Sequence, residues 1–238
     1  MKINKQSNLY IVIYIIVMVA IVGTALAFTS VSLSDRQQDN VDRDKMRQIL
    51  ASLHVVPEKA DIISEYNSLI TSAFIVNSKG ERLEGDAFKV NVANEAKLPA
   101  DERQLPVYEA KFADGSVKYV LPAYGAGLWG PIWGYMAVDA DGSTVYGAYF
   151  DHQGETPGLG AEITKPAFSD QFDGKHLMQG SKLVPIAVVK KGMKYTGGDY
   201  VDGVSGGTIT SKGVSDMLQN CLEPYQAFLS SINSNNQD

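Results

Sequence analysis

The sequence predicts a single α+β domain, an antiparallel sheet with flanking helices, carried on one N-terminal transmembrane helix. Three observations point there. An uninterrupted apolar run opens the chain, a middle section of aromatic-rich runs is punctuated by Asp-Gly turns, and a stretch of helical periodicity closes it.

The apolar run is "LYIVIYIIVMVAIVGTALAF", Leu9 to Phe28, and no charge falls between Lys5 and Asp35. A helix of that length, at about 1.5 Å per residue, covers roughly the 30 Å of a bilayer's hydrocarbon. Tyr10 and Tyr14 near one end suit a membrane interface. Ala25-Leu26-Ala27 has the small-x-small form of a cleavage site, but the run is longer than the apolar part of a signal peptide. An uncleaved anchor over 9–28 is therefore expected, preceded by a short terminus at 1–8. A buried soluble helix would need a polar face, which this run lacks. Lys2 and Lys5 flank one end, while Arg36, Arg43, Lys45 and Arg47 follow the other among Asp35, Asp39, Asp42 and Asp44. That balance leaves orientation open.

One folded domain is expected over 36–230, then a disordered tail over 231–238. Met46, Ile49, Leu50 and Leu53 recur at helical spacing. A second helix is expected after Pro57, with Ile62, Ile63, Tyr66, Leu69 and Ile70 on one face. Between Ala73 and Phe150, the turns "NSKGE" (77–81), "ADGSV" (113–117) and "ADGST" (140–144) separate runs such as "VKYVLP" and "GYMAVD". This is a hairpin pattern, with glycines at the positions that need positive φ. Val214, Met217, Leu218, Cys221, Leu222, Tyr225 and Leu229 mark the apolar face of a closing helix, which Pro224 should break or kink.

Several function classes drop out. A net charge of −6 argues against nucleic acid as the main partner. Cys221 is the only cysteine, which excludes an internal disulfide and a cysteine-rich metal site. His54, His152 and His176 are dispersed, and "DADGS" lacks the glycine position and closing glutamate of a calcium loop. There is no G-x-S-x-G, no Walker loop and no G-x-G-x-x-G after a strand. No metal ligand and no catalytic residue is assigned.

Three glycine-rich stretches remain: "GAGLWGPIWG" (125–134), "HQGETPGLGAE" (152–162) and "DGVSGGTITS" (202–211). The first is either a bend between strands or a flat wall for a planar ligand, built on Trp129 and Trp133. The second is either an irregular connection or bare backbone that a ligand can approach closely. The third joins such backbone to a helix N-terminus, which favours phosphate, unless Thr210 or Ser211 is simply the helix cap.

Together with the anchor and "DRDKMRQIL", the segments "GLWGPIWGYMAVD", "GETPGLGAEI" and "DGVSGGTITSKGV" resemble the NqrC family of the sodium-translocating NADH:quinone reductase, over nearly the whole chain. The last segment matches that family's flavinylation pattern of aspartate, serine or threonine, glycine, alanine, threonine. The resemblance implies an FMN-binding domain whose FMN is joined through its phosphate to Thr208 by a separate flavin transferase. Asp202, Ser205 and Gly206 match the pattern, and Gly207 replaces the usual alanine. Glu155, Thr156, Leu159 and Gly160, with Gly127, Leu128 and Trp129, are implied to lie near the isoalloxazine ring.

The resemblance further implies an electron-relaying subunit in the inner membrane, its soluble domain facing the periplasm and its partners the other membrane subunits. It would have no NADH or quinone site of its own. Two alternatives stand beside this: the flavinylated subunit of the Rnf electron-transport complex, which the "GLW" segment disfavours, and a flavin-free membrane-anchored binding or assembly module.

Overall fold

The computed structural model describes residues 7–180 and 182–235. They fall into two units, one ending at Lys45 and the other beginning at Met46. Helix α1, Asn8–Ser52, runs through that boundary. The two helical stretches expected at 9–28 and around Met46–Leu53 are thus one continuous helix. No glycine or proline between Thr24 and Val56 interrupts it.

In the first unit, α1 carries an 18-residue window of mean hydropathy 2.8 and is long and apolar enough to cross a membrane. Tyr10 and Tyr14 stack with ring centres 6.4 Å apart. Most of the expected terminus at 1–8 lies outside the described residues.

The second unit is built on a six-stranded antiparallel sheet of order β2-β1-β3-β4-β5-β6. Its strands are β1 (Ile70–Val76), β2 (Arg82–Leu83), β3 (Leu105–Lys111), β4 (Val117–Ala126), β5 (Pro131–Asp139) and β6 (Val145–His152). The three expected turns join β1 to β2, β3 to β4 and β5 to β6. Asp114 and Asp141 each accept a hydrogen bond from the N–H two residues on, at 2.9 and 2.8 Å, which holds the chain in the turn.

Alternation along the strands sorts side chains into two cores. Leu121, Ile132, Met136 and Val138 enter the first, under helices α5 (Thr208–Leu222) and α6 (Gln226–Asn235), with Phe168 of the short helix α4 (Pro166–Ser169) and Phe172 of the 3₁₀ turn that follows it. Tyr108, Val120, Tyr135 and Ala137 enter the second, beneath Ile49, Leu50 and Leu53 at the end of α1 and Tyr66 of α2 (Ile62–Leu69). A one-turn helix, α3 (Val92–Glu95), lies between β2 and β3. The buried tyrosine hydroxyls find partners: Tyr108 donates to Ala87 O at 3.1 Å and Tyr225 to Pro106 O at 2.8 Å.

Val214, Met217, Leu218, Cys221 and Leu222 line the buried face of α5, as their spacing predicts. Pro224 ends that helix outright: it sits in a 3₁₀ turn, Glu223–Tyr225, between α5 and α6. The disordered tail expected from 231 is instead helical as far as Asn235, and Ile232 packs on the first core. Residues 236–238 lie outside the described residues.

Two small pairings carry no sequence signal strong enough to expect. β7 (Met178–Gln179) pairs antiparallel with β8 (Lys182–Leu183), and β9 (Ala187–Val189) pairs parallel with β10 (Tyr200–Asp202). The second pair leads the chain into the loop before α5.

Candidate functional site

The three glycine-rich stretches converge around the first turn of α5. Stretch 125–134 spans the end of β4, the turn at 127–130 and the start of β5, and α5 packs along β4 where glycines leave room. A Cβ on Gly125 would lie 2.7 Å from Met217 Cβ, and one on Gly213 would strike the Ala126 carbonyl.

Glu155 fastens the convergence. It is only 5% exposed. Its Oε1 accepts the Trp129 N–H at 2.8 Å, and its Oε2 accepts the Thr210 hydroxyl at 2.6 Å. One carboxylate therefore ties the β4–β5 turn to α5 from the loop after β6, with charge-assisted bonds at both oxygens. The Glu155 N–H donates to His152 Nδ1 at 3.1 Å. A Cβ on Gly127 would overlap Glu155 Oε1, and one on Gly160 would overlap Oε2 and meet Thr210 Oγ1 at 2.5 Å. Neither position admits a side chain without displacing this carboxylate.

Thr208 is the first residue of α5 and is exposed. Gly207 takes the N-cap position, and no side chain caps the helix. The first-turn N–H groups and the dipole are therefore open to an anion. Thr210 and Ser211, weighed from sequence as caps, are instead buried inside the helix. Thr210 is bound to Glu155, and Ser211 Oγ accepts the Val204 N–H at 2.9 Å. Among the described residues the Thr208 hydroxyl makes no hydrogen bond.

A cleft of about 420 Å³ runs beside Thr208, lined by Ser205, Gly206 and three lysines, Lys190, Lys191 and Lys212. Lys212 also reaches Asp216, at 2.5 Å. Sequence reasoning missed all three lysines; the run "KKGMK" at 190–194 was the available signal for Lys190 and Lys191, and Lys212 follows the Thr208 motif directly.

Gly206 adopts φ +76°, and a Cβ there would lie 2.6 Å from Leu159 Cδ2. At Gly207 a Cβ would be 3.2 Å from Gly160 N. The loops of the second and third stretches thus lie against each other. Thr156, Leu128, Leu159 and Trp129 are exposed around them, Trp129 by 69%. Ile209, next to Thr208 in the chain, is also exposed and was not anticipated.

Asp202 borders a hollow adjoining the Thr208 cleft, with Lys165 and Gln171: its backbone is held by Gln171 at 2.9 and 3.2 Å, and its Oδ1 accepts the Gly192 N–H at 3.4 Å. Of the two readings of stretch 125–134, Trp133 fits the bend. It lies against the second core, and its indole N–H donates to Gln48 Oε1 at 3.0 Å.

A profile of the FMN-binding domain family matches residues 127–223, from the β4–β5 turn through α5. The chain is 33% identical over 210 residues to the C subunit of the Na(+)-translocating NADH-quinone reductase of Vibrio vulnificus (strain YJ016), an alignment covering 82% of this chain and 81% of that protein. It is 30% identical over 247 residues to the corresponding protein of Haemophilus ducreyi (strain 35000HP / ATCC 700724), covering 95% and 96%. The crystal structure of the same reductase's C subunit from Parabacteroides distasonis ATCC 8503 superimposes with a TM-score of 0.78 at 52% identity, over 83% of this chain and 96% of that one. With that likeness running through the sheet and all three converging stretches, the chain belongs to the NqrC family of the Na⁺-translocating NADH-quinone reductase and carries its FMN-binding domain.

Proposed function

We propose that this chain is the membrane-anchored flavoprotein subunit of the Na⁺-translocating NADH:quinone reductase, relaying electrons through FMN held as a phosphoester on Thr208. The observation that carries the reading is an exposed threonine hydroxyl, free of hydrogen bonds among the described residues, at the uncapped start of α5 beside a lysine-lined cleft. A threonine hydroxyl is a weak nucleophile, so a transferase must reach it and activate it. Exposure of Ser205, Gly206 and Thr208 supports that access.

The residues suit FMN. Lys190, Lys191 and the open N–H groups of α5 would balance its phosphate. Ser205, Gly206 and Gly207 would leave room at the attachment point. Gly127, Leu128, Trp129, Thr156, Leu159 and Gly160 would border the ring, with Glu155 beneath them. Asp202 would shape the loop from outside the cleft. Bound FMN supplies reversible uptake and release of electrons; this chain holds it in place and sets its surroundings.

In this reading residues 9–28 anchor the chain in the inner membrane and the domain over 36–230 faces the periplasm. Electrons arrive from and leave to the other membrane subunits, since the chain has no dinucleotide fingerprint of its own.

The test is protein co-expressed with a flavin transferase, denatured, run on a gel, examined for flavin fluorescence, and peptide-mapped by mass spectrometry. FMN is expected on Thr208 and absent in Thr208→Val. An unmodified Thr208 beside a demonstrably active transferase would overturn the reading in favour of a flavin-free anchored module.

A further inference from the structure

Glu155 is the one carboxylate among the buried polar side chains of the described residues, and it forms no ion pair there. Its two hydrogen bonds come from a neutral N–H and a neutral O–H. Burying a charge without a counter-charge is costly, and the two bonds do not demand one. A glutamine could accept from Trp129 N through its carbonyl oxygen and donate to Thr210 Oγ1 through its amide, in the same space. The stitching of the loops by itself therefore does not call for a carboxylate at this position.

We propose that Glu155 is a positioning residue whose buried charge, held between the β4–β5 turn and the first turn of α5, keeps the reduction potential of the flavin on Thr208 more negative than the loop geometry alone would set it. The inference rests on Thr208 carrying the flavin. Thr210, which Glu155 grips, shares the first helical turn with Thr208, and Trp129, which it also grips, borders the same rim. An electron entering a flavin adds negative charge, and a fixed anion in a low-dielectric setting opposes that addition. The hydroxyl of Thr210 partly offsets the anion by pointing its proton at Oε2.

Two substitutions should then move the potential in opposite directions. Glu155→Gln keeps both bonds and removes the charge, so the potential rises. Thr210→Val keeps the charge and removes a donor that offsets it, so the potential falls.

The experiment uses the full chain co-expressed with flavin transferase and purified in detergent. Covalent flavin content, thermal midpoint and midpoint potential are measured at pH 8 by spectroelectrochemical titration. Glu155→Gln is expected to keep its flavin and a near-parental thermal midpoint, with a potential shifted positive; Thr210→Val is expected to shift negative. An unchanged potential in Glu155→Gln, or shifts of the same sign in both variants, would reduce Glu155 to a structural clamp and overturn the proposal. If Glu155→Gln fails to load flavin, Thr210→Val decides: a negative shift supports the proposal, and no shift or a positive one overturns it. Absence of flavin from Thr208 in the parent would be a failure of the functional reading itself, visible before any variant is made.

Discussion

Glycine is used for two different purposes in two regions of this domain. In the β3–β4 turn, Gly115 adopts φ +86°, and a Cβ there would meet nothing within 4 Å. At the site, Gly127 and Gly160 have no left-handed backbone, yet a Cβ on each would run into the Glu155 carboxylate. The turn needs glycine for the shape of its own chain. The site needs glycine for the room it leaves to other chain segments, and only the first need is written locally.

The largest effect that would sharpen this contrast is Gly160→Ala. The added methyl falls on Glu155 and Thr210, and overpacking of this kind costs about 1–3 kcal/mol. A lowered thermal midpoint is expected, together with loss of flavin attachment in a gel-fluorescence assay. Parental behaviour in both would break the crowding argument.

Gly115→Ala should cost about 1–2 kcal/mol through left-handed backbone strain alone. Its flavin attachment should match the parent, because the turn touches no part of the site.

The two tryptophans give a smaller contrast. Trp133→Phe removes the indole bond to Gln48 and should lower stability by about 1 kcal/mol in denaturant unfolding. Trp129→Ala should stay within about 0.5 kcal/mol of the parent, since the side chain is 69% exposed, while changing the absorbance and emission of bound flavin.

The smallest effect is acid-dependent. Burial would raise the Asp141 carboxyl, but bonds from the Thr144 side chain and the Ser143 and Thr144 N–H groups, with His176 nearby, outweigh it and hold the group below the ordinary aspartate range. A lowered folded-state value gives stability that is present above the unfolded value of about 3.9 and is lost as pH falls through the folded one. Asp141→Asn should therefore melt below the parent at pH 7, and the gap should close towards pH 3. The gap should stay under about 1 kcal/mol for so exposed a turn.

Local chemistry made much of the fold legible. Asp-Gly pairs mark hairpins because the turn conformation is set within four residues, and the spacing of Val214, Met217, Leu218 and Cys221 follows from one helix meeting one core. The motif around Thr208 was legible as a motif. What stayed hidden depends on distant partners. The clamp made by Glu155 was hidden because its partners, Trp129 N and Thr210 Oγ1, lie 26 and 55 residues away in the chain. The β9–β10 pair has strands of three residues, too short for a period to show. Asp202 matches the motif in sequence, but its backbone partner Gln171 lies far off in the chain and carries no local signal. The continuity of α1 was legible in the absence of glycine and proline after Thr24, and the charged stretch obscured it.

The setting of Cys221 has a practical consequence. It is buried, its Sγ lies 3.4 Å from Tyr124 N and 3.3 Å from Tyr124 O, and burial pushes the thiol up from its ordinary value. Little thiolate is available, and reagents cannot reach the sulfur. As the chain has no other cysteine, a single cysteine placed at exposed Ile209 or Met193 would be the only sulfur a maleimide could find. Spin labels or dyes attached there would report on this chain alone, with Cys221 left in place as a silent thiol.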